Sequence, residues 1–236
     1  MSFRKGSYER YKLNEQEKEA MKIKENSGGG DFKLLPAGTH AAVCTMIVGI
    51  GPQVVEFQDH VKESEKVKLR FEVPAERIAW VTKEGVAGEG PMVIWATYTC
   101  SLHEKSKLRK HLQAWRGRDF TEAELAGFEL NNVLGKPCLL SVVHRTAPNG
   151  KTYANIDSIS GLMKGMAAPL AEGELISFDF DDHSPAELAA LPDWLQQVIA
   201  GGKALRAEQE ARALPFIAPE AEEDAPPWAG EEEIPF

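Results

Sequence analysis

Residues 66–73 read Lys-Val-Lys-Leu-Arg-Phe-Glu-Val, a strict alternation of polar and apolar side chains. In a strand, Val67, Leu69, Phe71 and Val73 share one face, and Lys66, Lys68 and Arg70 share the other. The segment therefore predicts a strand with one face in a core and one basic face outward. Ala41 to Ile50 is a continuous apolar and β-branched run and predicts an earlier, mostly buried strand, ended or bent by Gly49, Gly51 and Pro52. Arg77 to Val81 continues the second strand or pairs with it. Met92 to Leu102 predicts a third, after a turn within Gly85 to Gly90.

A helix follows. Ser101 with Glu104 has the capping-box spacing, and Leu108, Leu112 and Trp115 recur on one helical face. Thr121 with Glu124 opens a second, short helix. Lys136 to His144 and Lys151 to Ser158 predict two more strands, joined at Pro148-Asn149-Gly150, a strong hairpin turn. Strand, strand, strand, helix, strand, strand is the order of the OB-fold, a five-stranded barrel that binds oligonucleotides. Other small α+β domains with these elements stay open. The expected class is mainly β, an OB-fold barrel with an inserted helix.

Four regions are expected. Residues 1–30 are a flexible polar arm ending in Gly28-Gly29-Gly30, and 31–165 are the barrel domain. Residues 166–202 are a linker whose short amphipathic helix starts at Ser184-Pro185 and carries Trp194, Leu195, Val198 and Ile199 to Gly201-Gly202. Residues 203–236 are Ala-, Glu- and Pro-rich and are expected to be a disordered acidic tail.

The formal charge of −9 argues against nucleic-acid binding until the chain is divided. Residues 1–165 hold 24 Lys and Arg against 20 Asp and Glu, net +4; residues 166–236 hold 3 against 16, net −13. A basic body and an acidic tail point to separate tasks. No apolar run is long enough for a membrane helix and no secretory h-region follows Met1, so a cytoplasmic protein is expected. Cys44, Cys100 and Cys138 lie in apolar runs without C-x-x-C spacing and read as buried thiols. The six histidines show no metal-site spacing, and no phosphate loop or nucleophile elbow occurs. Asp179, Asp181, Asp182 and His183 read as a solvated turn before a cation site. Neither an enzyme nor a cofactor or metal is expected.

Binding unpaired strands requires cations along the phosphates and aromatic rings under the bases. Lys66, Lys68 and Arg70 supply cations about 6–7 Å apart along the strand. Trp80, Trp95 and Tyr153 are the candidate rings; Trp95 points away from the face that holds Ile94 and Ala96. Arg145 and Lys151 flank the last hairpin, and Lys107 and Arg109 lie on the helix surface. Trp115 and Phe71 read as core.

The last six residues are Glu231-Glu232-Glu233-Ile234-Pro235-Phe236. The acids suit basic partners, the aromatic ring suits a pocket, and Pro235 lowers the entropy of fixing it. This peptide resembles the tip of bacterial single-stranded DNA-binding proteins. Residues 33–165 also resemble single-stranded DNA-binding proteins of bacteriophage replication modules, through Leu102-His103-Glu104-Lys105-Ser106, Leu112 to Arg118, and Gly135-Lys136-Pro137-Cys138-Leu139. The resemblance implies single-stranded DNA as ligand and recruitment of replication and repair proteins through the tip. It allows a homo-oligomer, although the N-terminal arm, the late barrel start and the 185–200 helix depart from the usual tetrameric bacterial protein. An adaptor without DNA binding and a strand-annealing recombination protein are the alternatives. The charge split further suggests that the tail competes with DNA for the basic groove.

Overall fold

In a computed structural model, residues 33–57, 60–81 and 85–213 are described. The arm at 1–30 and the tail beyond 213, with the tip at 231–236, lie outside the described residues. The fold is that of the unit beginning at Leu34.

Strands β1 (Gly38–Phe57), β2 (His60–Val81), β3 (Ala87–Thr99), β4 (Pro137–Thr146) and β5 (Thr152–Ser160) form one antiparallel sheet. The order is β3-β2-β1-β4-β5, and the sheet curls into a half-barrel. Helix α1 (Lys107–Arg116) packs against β3 and β5. The alternation at 66–73 is realised: Val67, Leu69, Phe71 and Val73 are all buried in the inner core. Ile94, Leu112, Leu140 and Ile156 join them there, and the Phe71 and Trp115 rings lie 5.7 Å apart.

Strand β1 does not end at Gly49-Gly51-Pro52. It continues to Phe57 through an irregularity between Gly49 and Gly51, with Gly51 at φ 67°. An earlier shift falls between Cys44 and Met46, so Thr45 is the extra residue. A bulge reverses which face the following side chains take. Ala42, Cys44 and Ile47 therefore face the inner core, and Met46, Val48 and Ile50 face outward. Pro74, which cannot donate to a ladder, sits in the irregularity of β2 between Val73 and Arg77.

The outward apolar face of β1 is covered by the segment expected to be a linker. Strand β6 (Ile176–Phe178) pairs in parallel with Met46 to Val48, and helices α2 (Glu122–Ala126), α3 (Pro185–Ala189) and α4 (Asp193–Ala213) complete the fold. Phe178, Phe180, Leu191, Leu195 and Ile199 form a second core with Met46, Val48 and Ile50. Two of the expected boundaries are corrected. Residues 166–202 are not a linker, because burying this face ties them to the sheet. Residues 203–213, assigned to a disordered tail, extend α4. The helix passes through Gly201-Gly202 because a Cβ on Gly202 would sit under 3.0 Å from the Ile50 carbonyl oxygen. The missing side chain is what lets α4 lie on β1.

Local signals vary in outcome. Thr121 with Glu124 and Ser184 with Glu187 form complete capping boxes. Ser101 caps no helix: its Oγ accepts from His103 N in a turn, and α1 begins at Lys107. Cys44 and Cys138 are buried, but Cys100, at the end of β3, is exposed.

Candidate nucleic-acid interface

The outer face of β2 carries Lys66, Lys68 and Arg70 opposite Thr99, Thr97 and Trp95 of β3. Lys66 Nζ donates to Thr99 Oγ1 at 2.7 Å, and Lys68 Nζ to Thr97 Oγ1 at 2.9 Å. These cross-strand bonds hold the ammonium groups over β3 and leave each with further N–H donors. Beside them runs a groove of about 610 Å³ between this face and the turn leading into α1. Lys62, Lys66, Lys105 and Lys107 line it, with His103 and no carboxylate. Lys107 Nζ also donates to the Ile156 carbonyl at 3.0 Å, which ties the groove wall to β5.

Aromatic rings border the lysines. Trp95 is half-buried against the second core, and its ring meets Trp194 of α4 edge-on at 5.2 Å. Trp194 is 42% exposed, and Lys68 Nζ lies 5.5 Å from its ring centroid. Burial among these groups lowers the pKa of Lys68. The ring offered to solvent here is therefore chiefly Trp194, with Trp95 behind it. Trp80, 47% exposed, lies farther along β2. A Cβ on either Gly88 or Gly90 would come within 3 Å of the Trp80 indole, so the ring rests on glycine backbone of β3.

Two expected cations are occupied elsewhere. Arg70 Nε donates to Thr45 Oγ1 at 2.9 Å and its Nη2 to the Glu174 carbonyl at 3.3 Å. Burial lowers its pKa while the neighbouring Glu72 opposes that shift. Glu72 is itself buried and accepts the Glu172 N–H at 2.7 Å. Both residues hold down the segment that leads into β6. Arg109 Nη1 donates to the Leu102 carbonyl at 3.0 Å and braces the turn before α1.

The remaining candidates form a separate group on the β4–β5 hairpin. Arg145 and Tyr153 are cross-strand partners; both are exposed, and Arg145 pairs with Asp157 at 3.1 Å. Lys151 is exposed beside the turn. The lysine groove takes in neither this hairpin group nor Trp80.

Two groove lysines and the ring beside Trp95 are not among the residues singled out from sequence as binding strand. Lys62 and Lys105 come from segments about 40 residues apart, and no local pattern links them. Trp194 carries a signal, its place on an amphipathic helix, but that pattern does not say which sheet face the helix covers. The Asp179 cluster is a structural turn: Asp179 Oδ1 accepts the N–H of Asp181 at 2.8 Å and His183 bonds the Asp179 carbonyl. Among the described residues no group of three or more ligating side chains is placed to hold a metal, and no helix is long and apolar enough to cross a membrane. No protein family, curated protein or solved structure matches this chain.

Proposed function

We propose that the chain is a non-catalytic, sequence-tolerant single-stranded DNA-binding protein with an OB-fold body, acting in replication, recombination and repair, and that residues 231–236 recruit partner proteins. The observation that carries the reading is the groove lined by four lysines and no carboxylate, next to the Trp95–Trp194 pair. Phosphates meet four cations, hydroxyl donors and no carboxylate there, and a base that leaves the groove meets an exposed indole. Each base stacked on such a ring contributes about 1–3 kcal/mol. The strand order and the helix between β3 and β4 support the OB-fold assignment.

Titration with oligo(dT), read by tryptophan fluorescence, tests the proposal. Trp194 and Trp95 should quench on binding. The affinity should fall with salt at a slope of roughly −3, from about −0.7 per phosphate over four cations. Equal affinity for duplex and single strand refutes the reading. A chain that captures replication proteins yet leaves oligo(dT) unbound is the adaptor instead.

A further inference from the structure

Helix α1 joins two cation-lined hollows. Its first residue, Lys107, lines the lysine groove. Arg116, at its other end, lines a separate cavity of about 490 Å³ bounded by α1, α2 and the start of β4. The helix carries Lys107, Arg109, Lys110 and Arg116 and no acid. Lys107, Lys110 and Ala114 recur at i, i+3 and i+7 and are all exposed, so the outer face between the hollows is basic. Arg118 follows the left-handed Gly117 that ends the helix. Asp119, the next residue, accepts from Gln113 Nε2 at 2.8 Å and is not part of the cavity lining. From Lys107 to Arg116 the helix rises about 14 Å, or about four nucleotides at a stacked spacing of about 3.4 Å.

The cavity combines charge with apolar walls. Trp115, Phe128, Val133 and Leu162 line it, and the Trp115 ring is fixed by its Nε1 donating to the Pro137 carbonyl at 2.8 Å. Asn132 adds an amide able both to donate to and to accept from a base edge. Arg116, Arg118 and Lys136 stand there with one carboxylate, Glu124, a net of two positive charges. Glu124 is engaged by both arginines and by the Thr121 N–H; Arg118 first, then that N–H, hold its carboxyl down to about 2. Arg118 keeps further N–H donors, and Lys136 is exposed. The Arg116 guanidinium packs 4.6 Å from the Phe120 ring, and its buried Nη1 lacks an acceptor among the described residues. A phosphodiester within a strand carries one negative charge, whereas a terminal phosphomonoester carries about −1.5 to −2 near pH 7. The second matches the net charge of the cavity.

We propose that this cavity takes the phosphorylated end of a single strand held in the lysine groove, with the phosphomonoester on Arg118 and Lys136 and its nucleoside against the Trp115–Leu162 wall. Lys110 lies on the way between the two hollows. The inference rests on the single-strand reading and adds to it a preference for phosphorylated ends.

The test is titration of the full chain with an oligo(dT) of about 12 nucleotides, within the span of one OB-fold site. Three strands are compared: hydroxyl at both ends, phosphate at the 5′ end, and phosphate at the 3′ end. At least one phosphorylated strand should bind about fivefold tighter than the hydroxyl-ended one, as one or two exposed ion pairs allow. The direction in which the strand lies decides which. Arg118→Gln with Lys136→Gln should remove that gain and leave the affinity for the hydroxyl-ended strand unchanged, which also shows that the variant is folded. Lys110→Gln should weaken all three strands. Three results each overturn the proposal while the hydroxyl-ended strand still binds: equal affinity of all three strands, a gain that survives the double substitution, or dTMP bound as tightly as the phosphorylated strand. If no strand binds, the single-strand reading falls and this inference with it.

Discussion

Adjacent glycines in α4 give opposite expectations for the same substitution. Helix propensity alone favours alanine over glycine by about 1 kcal/mol inside a helix. At Gly201 nothing lies within 4 Å of where a Cβ would stand, so Gly201→Ala should gain up to about that amount. At Gly202 the new methyl would fall under 3.0 Å from the Ile50 carbonyl oxygen, 3.1 Å from Gln53 Nε2 and 3.2 Å from the Phe180 ring. A flexible amide can move, but a backbone carbonyl in a paired strand cannot. Overpacking of this kind costs typically about 1–3 kcal/mol and exceeds the propensity gain at most of that range. A net loss of about 1–2 kcal/mol is expected for Gly202→Ala, a fall in Tm of roughly 2–8 °C at this chain length. Urea unfolding followed by circular dichroism measures both variants against the parent. If Gly202→Ala is as stable as the parent or more so, α4 does not rest on β1 and the second core is wrong.

Glu72→Ala strips the acceptor from the Glu172 and Gly173 N–H groups and should cost about 1–3 kcal/mol, with faster hydrogen exchange confined at first to residues 170–176. Lys66→Ala with Lys105→Ala should lower the salt slope of oligo(dT) binding by about 1.4, whereas Arg70→Ala and Arg109→Ala, whose guanidiniums brace the chain, should leave the slope unchanged. His111 is buried between Tyr98 OH at 2.9 Å and the Asp157 carbonyl at 3.2 Å, and burial, then Lys107, lower its pKa below 6.5. The unfolded chain takes up this proton first as pH falls. Stability from the neutral ring is thus complete above about pH 6.5 and declines below it to the folded pKa, and His111→Asn should abolish that decline in acid unfolding curves.

What can be read from the sequence is local or periodic. The alternation at 66–73 places Val67 to Val73 inside because one strand face suffices to decide it. The capping boxes at Thr121 and Ser184 form because their partners lie three residues away. The cover of β1 is only hinted at by the run from Ala41 to Ile50. A strand apolar on both faces needs two partners, and the barrel interior is just one of them. Propensity stops the helix at Gly201-Gly202, and a tertiary contact with Ile50 overrides it. For the candidate site, periodicity fixes the face of Lys66, Lys68 and Trp95. It cannot reveal that Glu72, Thr45 and Glu174 already engage Arg70, nor that residues 62 and 105 meet beside Lys66 while Trp194 stands against Trp95.

The C-terminal cover both removes and supplies surface for the proposed ligand. By burying Met46, Val48 and Ile50, it confines a bound strand to β2, β3 and the approach to α1. By turning Arg70 toward Glu174, it takes one cation off that strip. In return α4 sets Trp194 against Trp95 and under Lys68, so a ring that the half-barrel itself lacks stands where the lysines end. Ion pairing with phosphate at an exposed lysine is weak and screened, while a stacked base is not. The exchange therefore favours affinity that survives salt over affinity gained from charge. It follows that residues 166–213 belong to the folded body, and that on the proposed function they help to shape its binding surface, although the charge changes sign before them.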